Sequence, residues 1–169
     1  MPELTTSETL QPSLLDRLTD EDPSKEVESR ERRVLSLGRL REAVIRDLTW
    51  LLNSGNLEPT GMLEGYEHAA NSVINYGLRD LTGVTESTVD VSDLERSVRE
   101  CVRRFEPRIL PDTVRVKVVE QEGNLAASGN RLAFEIEGDL WARPLPEHLF
   151  LQTEVDLEDG SSRIERASR

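Results

Sequence analysis

Apolar residues recur through the segment 37–51 at intervals of three and four: Leu37, Leu40, Val44, Leu48 and Leu51. Arg39, Arg41, Glu42, Arg46 and Asp47 fall between them. That spacing puts the apolar side chains on one stripe and turns the charges away, which predicts an amphipathic helix starting near Ser36. Gly55, just past Asn53 and Ser54, is a natural stop. A shorter helical pattern runs from about Glu67 to Tyr76, with Ala69, Ala70, Val73 and Ile74 as its apolar positions, and ends at Gly77. Asp80-Leu81-Thr82-Gly83 predicts a turn. The next helix opens on a capping box, Ser92 with Glu95, and carries Leu94, Val98, Cys101, Val102 and Phe105 on its stripe. It ends at Phe105-Glu106-Pro107-Arg108-Ile109. Proline has no amide proton and pushes the residue before it out of the helical region.

After Pro111 the period changes from 3.6 to 2. Val114, Val116 and Val118 alternate with Arg115 and Lys117, and Leu132, Phe134 and Ile136 alternate with Arg131, Glu135 and Glu137, as half-buried strands do. Gly123-Asn124 and Gly129-Asn130 bracket a polar loop. A third strand is expected from about Leu149 to Leu157, and Glu158-Asp159-Gly160 turns the chain into a short charged segment through Ile164. Helices first and antiparallel strands afterwards predict an α+β fold, with the helices packed on one face of a small sheet. Such a sheet has edges that can accept a strand from another chain. Residues 36–166 read as one domain and residues 1–35 as a mobile tail.

Composition narrows the class further. The chain has 169 residues, 21 Lys plus Arg against 33 Asp plus Glu, and a net charge of -12. A field of that sign repels phosphate backbones, which argues against nucleic acid as a partner. Residues 1–11 contain no lysine, arginine or apolar run, and no uncharged apolar stretch reaches the roughly 18 residues that span a bilayer. The expectation is a cytoplasmic protein without membrane insertion. Cys101 is the single cysteine and falls on a core stripe, so packing is its expected work. His68 and His148 stand apart from other ligand types, and no glycine-rich phosphate loop is present, so neither metal nor cofactor is expected.

Three features are left for function. Glu106 and Arg108 flank a stiff proline, either as two solvated charges at a helix stop or as a docking point. In Pro12-Ser13-Leu14-Leu15-Asp16-Arg17-Leu18, Ser13 can cap a short helical turn whose Leu14, Leu15 and Leu18 share one side. This apolar plug either packs on its own domain or enters a partner's groove. Arg96, Arg99, Arg103, Arg104 and Arg108 form a basic cluster, either a solvated face or a surface for an acidic partner. Glu106 and Asp112 can be paired on paper as acid and base, but nothing singles them out.

Taken in order, four segments resemble the TssE family of type VI secretion baseplate subunits. They are residues 12–18, Leu40-Arg41 through Arg46-Asp47-Leu48 to Asn53, Ser72-Val73-Ile74-Asn75-Tyr76-Gly77-Leu78 with the 80–83 turn, and the Glu-Pro-Arg corner. That family is related to phage-tail baseplate wedge proteins once labelled lysozyme-like. The resemblance implies a non-enzymatic wedge subunit that sits with TssF and TssG, in an assembly that TssK joins, within a baseplate docked at the inner-membrane complex. It also implies a sheet similar to the interlocking handshake domain of the sheath subunits TssB and TssC, able to anchor or nucleate the sheath. On the same basis Glu106, Pro107 and Arg108 form an inter-subunit polar joint or orient the corner that makes one. A peptidoglycan hydrolase is the alternative. It would need a deep cleft with two placed carboxylates, and aromatics to stack on sugars are scarce at 4%.

Overall fold

The computed structural model describes residues 13–19, 24, 37–79, 90–119, 131–142 and 145–166. The expected turn at 80–83, the polar loop between the first two strands and most of the tail lie outside them. Helices α1 (Leu14–Leu18), α2 (Leu37–Leu52), α3 (Glu67–Ala70) and α4 (Val91–Phe105) precede strands β1 (Arg115–Val119), β2 (Arg131–Leu140), β3 (Glu147–Asp156) and β4 (Ser162–Arg166). The strands form one antiparallel sheet in the order β1-β2-β3-β4. The fold is α+β, as its order of patterns predicts.

Burial follows the alternation. Leu132, Phe134, Ile136 and Leu140 of β2, and Leu149, Leu151 and Val155 of β3, face inward. Against them α2 sets Leu40, Val44, Leu48, Leu51 and Leu52, and α4 sets Leu94, Val98, Cys101 and Val102. Helix α4 lies along β1 and α2 along β4, so the two helices share one face of the sheet. Each buried aliphatic side chain contributes about 1.5–3 kcal/mol, and this contact is what holds the layers together. The other face pairs opposite charges across strands: Arg115 with Glu137, Lys117 with Glu135, and Glu154 with Arg163.

Both edge strands carry a side-chain clamp. On β1 the Val118 amide donates to Glu95 of α4 at 2.8 Å. On β4 the Ser162 amide donates to Asn53 Oδ1 at 2.8 Å, while Asn53 Nδ2 donates to the Ser162 carbonyl at 2.9 Å. Each clamp occupies outward-facing backbone groups of an edge strand.

Three expectations need correction. The segment 67–76 is not one helix. It breaks after α3, where Ser72 Oγ donates to the Ala69 carbonyl and accepts from the Ile74 amide, starting a separate 3-10 turn over Val73–Asn75. Serine competes with helical hydrogen bonding in this way, and Val73 and Ile74 end up exposed. The cap of α4 is Asp90, whose carboxylate accepts from the Ser92 and Asp93 amides. The Ser92/Glu95 box does not form, because Glu95 is spent on β1. β3 begins two residues earlier than expected, at Glu147, and a 3-10 turn over Pro111–Thr113 leads into β1.

Candidate functional site: a charged joint at the Glu-Pro-Arg corner

Pro107 ends α4 and turns the chain so sharply that residues 106 and 108 face each other. Glu106 is 2% exposed. Its Oε1 accepts from Arg108 Nε at 2.7 Å and from the Arg108 amide at 3.1 Å, and its Oε2 accepts from Arg108 Nη2 at 2.5 Å. The carboxylate is therefore saturated by one residue, through a bidentate fork plus a backbone bond. Glu106 is not a solvated charge, and the pair closes within the chain. Pro107 itself is exposed.

The corner is welded to the sheet. Trp141 N–H donates to the Arg108 carbonyl at 2.7 Å, and Leu110 N–H donates to the Asp139 carbonyl at 2.8 Å, which pairs Ile109 with Leu140. Ile109 is buried against Gly138, where a Cβ would stand 2.7 Å from the isoleucine Cγ2. A residue without a side chain is what lets the corner reach β2.

The same arginine continues outward to α2. Arg108 Nη2 also donates to Asp47 Oδ2 at 2.6 Å, and Asp47 Oδ1 accepts from Arg46 Nε at 2.8 Å. Arg46 Nη1 then reaches Asp16 Oδ1 of α1 at 2.5 Å, with its guanidinium 5.2 Å above the Trp50 ring. The result is an alternating row of five charges, Glu106, Arg108, Asp47, Arg46 and Asp16, from the corner to the N-terminal helix. For Arg108, burial works against the charged form, but Glu106 and Asp47 outweigh it and its pKa is raised. Asp16 likewise loses solvation, yet hydrogen bonds from Arg46 and Ser13 hold its carboxyl below the usual range. Tyr76 packs edge-on against Phe105 at 5.3 Å, beside this row. Burial and then the negative charge of Asp47 push its phenol up.

Helix α1 is placed by this row rather than by its leucines. Ser13 caps it, accepting from the Asp16 amide at 3.2 Å. Leu14, Leu15 and Leu18 are 71%, 43% and 74% exposed. A plug packed on its own domain would bury them. Ion pairs with partly exposed partners, such as Asp16–Arg46, contribute only about 0–1 kcal/mol, so α1 is held lightly while its apolar side faces outward.

The remaining sequence candidates do not converge. Arg96 pairs with Asp93, Arg103 lies near Glu100 and Asp112, and Arg104 donates to the Ala70 carbonyl, so the basic cluster is largely answered locally. Asp112 is 99% exposed at its side chain, whereas Glu106 is buried in its fork with Arg108. These two carboxylates do not present an acid and a base to one cleft. An open cleft of about 430 Å³ lies elsewhere, between residues 56–79 and α4. Among the described residues no group of His, Cys, Asp and Glu is placed to hold a metal ion, and no helix is long and apolar enough to cross a membrane.

Cys101 lines that cleft but is buried, donating to the Gly77 carbonyl at 3.3 Å. Burial pushes its thiol up to about 12, with Arg104 pulling weakly the other way. Alkylation needs the thiolate, so at pH 8 the folded protein should react roughly 10³-fold more slowly than in urea. Mass spectrometry of iodoacetamide-treated protein, native against urea-unfolded, checks this.

Asp47, Arg46 and Asp16 are the members of this joint that sequence reasoning did not select. On a helix wheel Arg46 and Asp47 simply occupy the charged side of α2, and nothing local says that a residue 61 positions away meets one of them.

Residues 38–145, more than half of the chain, match the family model described as baseplate wedge protein gp25. No curated protein and no solved structure matches. The matched stretch takes in nearly all of α2, then α3, α4, the corner, β1 and β2, and leaves out α1, β3 and β4. The resemblance to TssE read from the motifs falls within this same family. The chain belongs to the baseplate wedge protein gp25 family, a family of structural baseplate components.

Proposed function

We propose that this chain is a non-enzymatic wedge subunit of a type VI secretion baseplate on the cytoplasmic side of the inner-membrane complex. It binds TssF and TssG, shares the assembly with TssK, and offers its sheet to the first TssB/TssC sheath subunits in a handshake-like pairing. The observation that carries this reading is the family match over 38–145, which runs from α2 through the Glu-Pro-Arg corner to the end of β2. One surface supports it: Leu14, Leu15 and Leu18 stand exposed together outside the matched stretch. Contact through Glu106, Pro107 and Arg108 belongs to the same proposal. Since the Glu106–Arg108 fork is internal, their part is to shape the corner that a partner meets.

Co-purification with TssF and TssG from the same genome tests the reading. The wild-type chain should form a stable complex, and Leu14→Ala/Leu15→Ala/Leu18→Ala should lose it while keeping an unchanged circular dichroism spectrum, because exposed substitutions shift stability by about 0.5 kcal/mol or less each. A folded wild-type chain that fails to bind would overturn the wedge assignment.

A further inference from the structure

We propose that Asp16, Arg46, Asp47 and Arg108 act as a latch that fixes the leucine side of α1 relative to the Glu-Pro-Arg corner, so that the two surfaces meet a partner as one composite site. Arg46 and Asp47 are its positioning residues. The inference rests on the reading that the α1 leucines touch a partner, and adds what sets their orientation.

A helix of five residues is far below the length at which a helix persists alone in water, and its leucines face away from the core. The polar side of the helix is what reaches the domain, through Asp16 to Arg46 Nη1. Arg46 is itself fixed on two further sides, by Asp47 Oδ1 through Nε and by the Trp50 ring beneath its guanidinium. Asp47 gives one oxygen to each arginine, Oδ1 to Arg46 and Oδ2 to Arg108. It is the hinge pin of the row, because it bonds to both cations. Arg108 ends the row on Glu106, which is buried and accepts three hydrogen bonds from Arg108. Each arginine lies between two carboxylates, so the orientation of α1 is referred step by step to the corner and through it to β2. Three leucines on a freely swinging segment would have to be ordered on binding, at a cost in conformational entropy. Leucines on a latched helix are ordered beforehand.

The test uses the full chain. Backbone order parameters from ¹⁵N relaxation are measured across residues 14–18 in wild type and Arg46→Met, which keeps the apolar stem over Trp50. Values should fall from about 0.8 to below ~0.6 in the variant, while those of α4 and the sheet stay the same. Asp47→Asn should produce the same fall. Raising salt to about 1 M, where the screening length is ~3 Å, should loosen α1 in wild type and leave Arg46→Met unchanged. In parallel, Arg46→Met should weaken binding to TssF–TssG roughly tenfold, and combining it with the leucine substitutions should add little, as expected for residues acting as a unit. Unchanged order in α1 overturns the latch whatever the partner does. Mobile α1 with wild-type affinity overturns the composite site. Normal binding by the leucine triple variant overturns the partner reading on which the inference rests, and the order parameters still judge the latch separately.

Discussion

Gly77→Ala should lower the stability of the isolated domain by about 3–5 kcal/mol, among the largest losses available to a single substitution. Gly77 has φ +119°, where a side chain is strained whatever the space around it, and here there is no space. A Cβ would stand 2.2 Å from the Ser54 carbonyl oxygen and 2.7 Å from its carbon. That carbonyl cannot withdraw, because it accepts the Leu78 amide at 2.8 Å in the bridge that ties the end of α2 to the segment before α4. The Gly77 carbonyl in turn receives the Cys101 thiol. For a domain of this size the loss corresponds to a melting temperature lower by roughly 10–20 °C. Gly55→Ala is the natural control. It sits on the other side of the same bridge, but a Cβ there meets nothing within 4 Å. A melting curve for Gly77→Ala that overlays the Gly55→Ala curve would contradict the close approach described here.

Arg108→Ala should cost about 2–4 kcal/mol, because removing one member of a buried pair leaves the other charged and uncompensated. Glu106 would keep one backbone donor out of three, and Asp47 would keep only Arg46. Arg108→Lys should recover less than half of the loss, since an ammonium cannot reproduce the fork on both carboxylate oxygens. Replacing the pair by apolar residues, Glu106→Leu with Arg108→Leu, should be milder than Arg108→Ala alone, because no stranded charge remains. Urea unfolding with an unchanged m-value would establish that these are changes of stability. Equal stability of wild type and Arg108→Ala would mean that the corner matters only to a partner. Assembly defects of corner variants have to be read against their own unfolding, whereas the leucine variants escape this ambiguity.

Much of the architecture was legible because local rules and tertiary packing agree. The stripe of α2, the stripe of α4 and the alternation around Phe134 each name a buried face, and each face is buried except at Leu37, which stays exposed at the start of α2. The proline stop after α4 lies where proline chemistry puts it. Misreadings arose where a side chain had two uses. Ser72 breaks a helix that its apolar neighbours would have extended, and Glu95 leaves a cap it could have made for a strand it could not be seen to meet. The charged joint was legible only at its core, Glu106 and Arg108, which are two residues apart. Asp16 and Asp47 join through space, across 30 and 61 positions, and a charge on the polar side of a helix looks the same whether it faces water or an arginine.

The two edge clamps bear on the life of the chain before any partner is present. Asn53 and Glu95 both precede in sequence the strands they guard, at Ser162 and Val118. A ribosome releases the N-terminal part first, so each guard emerges ahead of the strand it meets. Unprotected strand ends are what make newly made sheet proteins stick to their neighbours. In this chain the side chains that cover the sheet edges are synthesised ahead of the edges themselves.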